Sequence, residues 1–334
     1  MQFNANDIVL VTGATGFTGI HLVKKLCASG ARVRAIARAS SDRSELNDLN
    51  IEWFIGDVFD EATVAEAVKG VTTVFHVAAA YREAKISDEV YWNVHVKSTH
   101  LLAKQALAQP NFKRFLHVST IGVHGHIEEP PADEEYRFAP GDEYQTTKVE
   151  AEEWIKDFAK TNELPLTVVR PAGIYGPGDR RLLKVFKMAK LPVTPILGFG
   201  CQNLYHLIHV DDLTDFMIVA AQSEKTLGEV YICGNSSAIS FKDMVKIIAN
   251  NLNRKARFLR LPVTPFFILG DLCELICKPF GIEPPIYRRR VAFFNKDRSF
   301  DTSKMTDHTG FECRLDNEQG ITELTQWYQK QDWL

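Results

Sequence analysis

The stretch "IVLVTGATGFTG", residues 8–19, decides the fold. Its first half is apolar without the alternation of a one-sided strand, so it reads as a strand buried on both faces. Its second half spaces Gly13, Gly16 and Gly19 through a turn that opens the amphipathic run "GIHLVKKLCASG". Gly13 permits the tight turn and Gly16 lets the backbone approach a pyrophosphate at a helix N-terminus. Gly19 lets that helix pack closely on the strand. Strand, glycine turn and helix in this order specify a dinucleotide site.

Outward from that stretch, short β-branched runs alternate with longer amphipathic ones. They read "RVRAIAR", "IEWFIGD", "EATVAEAVKG", "TTVFHVAAA", "DEVYWNVHVKSTHLLAKQALAQ", "FKRFLHVST", "YQTTKVEAEEWIKDFAKTN" and "LTVVRPAGIYG". The alternation predicts an α/β fold: a Rossmann-type doubly wound parallel sheet with right-handed crossovers. Past residue 176 the prolines Pro177, Pro192 and Pro195 break the pattern, and "EVYICGN" (229–235) restores a strand. Residues 1–175 and 205–240 are therefore expected to form the dinucleotide-binding domain. Residues 176–204 and 241–334 are expected to form a smaller, interleaved C-terminal substrate lobe.

The 334 residues are 45% hydrophobic and 24% charged, enough for one large core and a smaller lobe. A net charge of −3 with both signs interspersed leaves no footprint for nucleic acid. The one dense basic run, Tyr287 with Arg288, Arg289 and Arg290, reads as a solvated face or an ion-pair site. The cysteines (Cys27, Cys201, Cys233, Cys273, Cys277 and Cys313) form no CxxC pair, as expected of reduced thiols in a cytoplasmic protein. Cys273 and Cys277 stand at helical spacing in an apolar segment and read as core, so no metal site is expected. The first strand starts at Ile8, which leaves no room for a signal peptide. The apolar stretch "LPVTPFFILGDLCELICKPF" (261–280) is too interrupted by Asp271, Glu274, Lys278 and prolines to span a bilayer. Its open readings are a helix packed on the lobe core, a wall for a hydrophobic substrate, or a segment lying against a membrane surface.

The end of the second strand bears on the cofactor. NAD sites place a carboxylate there on the ribose 2′-OH. Here the positions are Ala37, Arg38, Ala39, Ser40 and Ser41, with no carboxylate before Asp42. The Arg38 guanidinium suits a 2′-phosphate, which favours NADP over NAD, although Arg38 can stack on adenine in either case. Asp57, in "GDVFD", can accept from the adenine amino group or cap a helix. "YQTTK" sets Tyr144 and Lys148 at i and i+4 on one helix face. A free phenol titrates near about 10, and an ammonium beside it favours the phenolate and brings it within range of acid/base work.

These motifs together resemble the extended short-chain dehydrogenase/reductase superfamily, the NAD-dependent epimerases and dehydratases. "TGATGFTG", "GDVFD", "HVAAA", "NVHVKST", "HVSTIGVHG", "YQTTK", "RPAGIYGPGD" and "IHVDDL" follow in family order over most of the chain. The resemblance implies that Thr120 holds the substrate oxygen, Tyr144 transfers its proton, and Lys148 binds the ribose and tunes Tyr144. It also implies that Asn93 steadies a proton-relay water and that Pro171 and Ile174 line the nicotinamide pocket. The expected cofactor contacts are completed by Thr15 and Phe17 of the glycine loop, Val58 beside Asp57, and Ala78 and Ala79 of "HVAAA". A homodimer through the helices bearing Asn93 and Tyr144 is a further implication.

Departures from the family patterns narrow the branch. Dehydratases of sugar nucleotides carry an Asp-Glu pair after the hydroxyl residue, whereas Ile121 and Gly122 stand here. Epimerases and decarboxylases carry R-x-x-N, whereas Arg170 is followed by Pro171, Ala172 and Gly173. "RPAGIYGPGD" and the tail "RRRVAFFNKDRSFDTSKMTDHTGF" look like the 3β-hydroxysteroid dehydrogenase and dihydroflavonol reductase branch. The leading expectation is therefore hydride transfer between a nicotinamide and a secondary alcohol or ketone of a largely apolar small molecule. A nucleotide-sugar epimerase is the alternative; a non-catalytic dinucleotide sensor would ordinarily lack the tyrosine.

Other polar residues have simpler readings. His124 reads as a turn histidine satisfied by backbone, and His76 and His117 as structural. His209 with Asp211 and Asp212 suits an N-cap better than a metal site. Glu128, Glu129, Asp133, Glu134 and Glu135 read as solvated acids in a loop that could cover the substrate.

Overall fold

A computed structural model describes residues 3–80, 87–198, 204–277, 284, 286, 291 and 298–334. The first strands are β1 (Ile8–Thr12), β2 (Arg32–Ala37), β3 (Ile51–Ile55), β4 (Thr73–His76), β5 (Arg114–Val118) and β6 (Leu166–Pro171). They are followed by β7 (Gly173–Tyr175), β8 (Thr194–Leu197), β9 (Leu204–Tyr205), β10 (Leu207–His209), β11 (Val230–Cys233), β12 (Ile239–Ser240) and β13 (Phe258–Leu261). Seven of them form one sheet in the order β11-β6-β5-β4-β1-β2-β3, and every pair in it is parallel.

Burial explains why these runs are strands. β4, β5 and β6 are buried at every position, so both faces must be covered. One face carries α1 (Phe17–Ala28) and α7 (Val210–Gln222), clasped by Lys25, whose ammonium donates to Asp215 at 2.6 Å. The other carries α2 (Glu61–Val68), α4 (Ser98–Leu107) and α5 (Glu143–Asn162), whose apolar faces share a second core with β4–β6. Chain order reverses between β1 and β4, and ligands of such sheets bind at the carboxyl ends of the strands beside that point.

The remaining elements build a smaller lobe: α6 (Leu183–Ala189), α8 (Phe241–Asn251) and the C-terminal helix Asn317–Lys330 bury Phe186, Met244, Ile248 and Leu324 together. β13 pairs with β8 beside them, and α9 (Thr264–Cys277) follows. One part of the C-terminal region returns to the larger unit. Met305 is buried in its core, Phe311 and Cys313 pack against it, and Tyr231 of β11 bonds His308 at 2.8 Å.

The acidic loop is not uniformly solvated. Glu134 is half-buried, accepts from the Ile232 N–H at 2.8 Å, and has its pKa raised by that burial. Ala132 is held between the Ser299 carbonyl and the Asp301 N–H, so this loop is sewn down rather than a free cover. Tyr287, Arg288, Arg289, Arg290, Cys201 and Lys278 lie outside the described residues.

Candidate active site

The glycine turn does what its spacing predicts. Gly13 adopts φ +71°, and a Cβ there would sit 2.8 Å from the Ala78 nitrogen. At Gly19 a Cβ would fall 2.0 Å from the Gly13 carbonyl oxygen, which closes the helix onto the turn. Gly16 differs: its nearest neighbour would be the Gly13 oxygen at 3.3 Å, and no side chain caps the helix it starts. The first N–H groups of α1 are therefore left to a ligand, and the contact at 16 is much less close than at 13 or 19. These features fit a dinucleotide's pyrophosphate.

A cavity of about 800 Å³ opens at this point. It is lined by Gly13, Gly16, Phe17 and Gly19 from the turn, by Ala79 after β4, and by Pro171 and Ile174. Ser119, Thr120, Tyr144 and Lys148 line the same space, together with Ile121 and Gly122. Thr120 caps the short turn Ile121–His124, its Oγ1 accepting from the Gly122 N–H at 3.0 Å and leaving its hydroxyl proton to donate. Ser119 is buried and its hydroxyl has no protein partner. An orphaned hydroxyl of this kind suits a bound cofactor or substrate.

Tyr144 stands in the first turn of α5, where Asp142 caps the helix by accepting from the Gln145 N–H at 2.8 Å. One turn on, Lys148 is 3% exposed and its ammonium donates to the Val118 carbonyl at 2.9 Å. Burial lowers the Lys148 pKa to about 8.

The remaining expected residues lie around this cavity rather than on its wall. Thr15 is half-buried in the turn, and Ala78 donates its N–H to the Thr12 hydroxyl at 3.2 Å. Arg38 is exposed just past β2. Asp57 and Val58 are half-buried after β3, and it is Asp60, accepting from the Thr63 N–H, that caps α2. Asp57 is thus released from the capping reading.

Asn93 does not line the cavity; His95, two positions on, is a buried side chain of its helix. α3 (Asp88–Trp92) widens into a π-turn, Asn93–Lys97, before α4. His95 meets the Tyr144 ring edge-on with centroids 5.2 Å apart. Its Nε2 accepts from the Ala80 N–H at 3.0 Å, which assigns the proton to Nδ1, 2.8 Å from the Thr147 hydroxyl. One imidazole thus ties the cofactor-side loop after β4 to the helix that carries Tyr144. Burial and the Lys148 charge hold its pKa down to about 2, so it is neutral.

His76 has the structural role expected. Ser98 and Thr99 donate to helix carbonyls and so accept from His76 Nε2, while Nδ1 faces the Thr12 hydroxyl at 2.8 Å. His117 is fully enclosed beside His76, with neither ring nitrogen partnered. His124 is satisfied by the Arg137 carbonyl at 3.2 Å, and His209 caps α7. Sequence reasoning missed Arg180, Arg181 and Arg298, which also line the cavity. Arg180 and Arg181 follow the turn residues of "YGPGD", and Arg298 carries no such local signal. Among the described residues no cluster of three His, Cys, Asp or Glu side chains could hold a metal.

The chain is similar to a 3β-hydroxysteroid dehydrogenase/decarboxylase of Arabidopsis thaliana, 27% identical over 93% of this chain and 60% of that protein. It is equally similar to a UDP-glucose 4-epimerase of Vibrio cholerae, 27% identical over 79% of this chain and 81% of the relative. The crystal structure of gox2253 superimposes with a TM-score of 0.81 at 27% identity, covering 98% of this chain and 99% of that one. The model of the NAD-dependent epimerase/dehydratase family matches residues 9–234, from the first strand to the last strand of the main sheet. With that match over more than half of its length and the site just described, the chain belongs to the NAD-dependent epimerase/dehydratase family.

Proposed function

We propose that the protein is an NADP-preferring oxidoreductase acting on a secondary alcohol or ketone of a largely apolar small molecule. The observation that carries this reading is one cavity in which Thr120, Tyr144 and Lys148 meet the glycine turn beside Leu182, Val185, Tyr205, Phe241 and Met244. A bound nicotinamide supplies a hydride acceptor or donor at its C4. Thr120 holds the substrate oxygen with the hydroxyl proton that its capping bond leaves available. Tyr144 takes the alcohol proton during oxidation and returns it to the carbonyl oxygen during reduction. Lys148, fixed on the Val118 carbonyl and still mostly protonated at neutral pH, favours the phenolate. Ile121 and Gly122 bring no carboxylate to the cavity, so water elimination lacks an acid/base pair. Arg38 is the group for a 2′-phosphate.

A second reading, nucleotide-sugar epimerisation, is favoured by Arg180, Arg181 and Arg298 on the same wall, since guanidinium groups suit a diphosphate. The similarity to the Vibrio cholerae epimerase points the same way. The missing R-x-x-N asparagine counts against it. Purified protein offered sterols, aryl ketones and UDP-sugars with each cofactor separates the two. The expected result is NADP(H) turnover with the apolar compounds alone; retained NAD with UDP-sugar interconversion would overturn the proposal. Sedimentation of the same preparation tests the homodimer that belongs to this reading.

A further inference from the structure

Among the described residues of the stretch 261–280, which end at Cys277, none lines the cavity. Its apolar side chains turn outward instead. On α9, Ile268 is 62% exposed, Leu272 53%, Leu275 72% and Ile276 58%, with Leu269 at 44%. At 3.6 residues per turn these five fall within about a third of the helix circumference. The opposite side holds the buried Gly270 and the half-buried Phe266, Cys273 and Cys277. Asp271 is exposed at one edge of the apolar arc, and Glu274 is half-buried beyond it. A soluble surface rarely leaves so continuous an apolar stripe without a partner.

The β8–β13 ribbon, joined to α9 through Pro262 and Val263, adds further exposed apolar groups and charge. β13 pairs in parallel with β8, and Leu191, Val193 and Leu259 at its edge are 49%, 42% and 53% exposed. Arg254, Lys255, Arg257 and Arg260 are all exposed along the same seven residues. The whole chain is net negative at −3, so this cationic ledge runs against the overall balance. A two-fold dimer through the face would carry the cationic ledges of both copies into one interface, with no acid among residues 254–260 to pair them. A surface that is apolar within and anionic without satisfies both features.

We infer that α9 and the β8–β13 ribbon dock the protein on an anionic lipid bilayer, with α9 lying in the interface. The helix has 14 residues, about 21 Å at 1.5 Å per residue, too short for a hydrocarbon core of about 30 Å. In agreement, among the described residues no helix is long and apolar enough to cross a membrane. The docked face adjoins the substrate lobe: Lys242 of α8 lies over the Phe258 ring of β13 at 5.9 Å, and Phe241 and Met244 of α8 line the cavity. The docking stands whether or not the substrate is apolar.

The test is flotation of the full chain with phosphatidylcholine vesicles, with and without phosphatidylglycerol, at low and at physiological ionic strength. Wild type should bind only the phosphatidylglycerol vesicles, and less at higher salt. Arg257→Ser with Arg260→Ser should weaken binding roughly 25-fold, at about fivefold per charge. Ile268→Ser/Leu272→Ser/Leu275→Ser should abolish it while leaving the melting temperature and cofactor affinity unchanged. No vesicle binding by wild type, or full binding by the triple variant, overturns the inference. So does a wild-type dimer that the triple variant converts to monomer without any vesicle binding, which would assign the face to a second copy.

Discussion

Lys148 carries opposing demands at a single residue. Its ammonium is almost wholly buried, and a pKa lowered from 10.5 to about 8 corresponds to about 3 kcal/mol of lost stability when the group is charged. The unfolded chain binds that proton more tightly, so stability rises as pH climbs from about 8 towards 10.5 and is flat in this contribution below. Lys148→Met should lose that rise, visible as a difference in chemical-denaturation curves between pH 7 and pH 10. The same variant should lose turnover by about 10²–10⁴-fold. The glycines make a second comparison at this scale. Gly19→Ala places a Cβ 2.0 Å from a backbone oxygen and should lower the melting temperature sharply. Gly16→Ala meets its nearest atom, the Gly13 carbonyl oxygen, at 3.3 Å, so it should lower the melting temperature far less than Gly19→Ala. Its loss should appear in cofactor affinity, measured by fluorescence titration.

At the scale of elements, α5 is held against β6 by a buried ion pair. Arg170 and Glu152 are 1% and 0% exposed, and Arg170 Nε reaches both carboxylate oxygens at 3.1 Å. Arg170 also donates to the Glu134 carbonyl and lies over the Phe138 ring at 5.0 Å, so one side chain joins strand, helix and loop behind the cavity. Arg170→Met strands the Glu152 charge and should cost about 3–5 kcal/mol, whereas Arg170→Met/Glu152→Met should recover much of it in the same urea titration. The strands and the glycine turn were legible because double-sided burial and tight-turn chemistry write themselves into local sequence. The partnership of Arg170 with Glu152 was not, since it joins residues on separate elements. Asn93 is what the family resemblance implies, and that resemblance carries no role for His95. The helix buries Tyr91, His95, Val96, Ser98, Thr99 and Leu102 while Asn93 is half-buried, and the π-turn Asn93–Lys97 interrupts the regular repeat that would have singled out His95. The readings of α9 stayed open because an apolar run does not say which way it faces; only the packed lobe decides that.

For the whole molecule, the cofactor is the part of the fold that the chain does not itself supply. The cavity lies where β1 and β4 diverge, with the larger core behind it and the smaller lobe across it, so occupancy stabilises both at once. Saturation at about 100 times Kd should add about 2.7 kcal/mol, read as an upward shift in thermal unfolding. NADPH should give the larger shift at equal concentration, and Arg38→Ala should abolish that advantage while leaving the NADH shift in place. An equal shift from both cofactors in wild type would reverse the preference assigned to Arg38. The fold class and glycine site were evident in the alternation of strands and helices. The cationic wall of Arg180, Arg181 and Arg298 was not, because two distant segments meet only in the folded chain.

The central claim is that Tyr144 moves the proton while hydride transfer proceeds at an adjacent carbon. It is tested most directly by measuring kcat for a ketone substrate in wild type and Tyr144→Phe, with the NADPH Kd measured alongside. The account predicts a fall in kcat of about 10²–10⁴-fold with cofactor affinity unchanged. Turnover by Tyr144→Phe at the wild-type rate would contradict it.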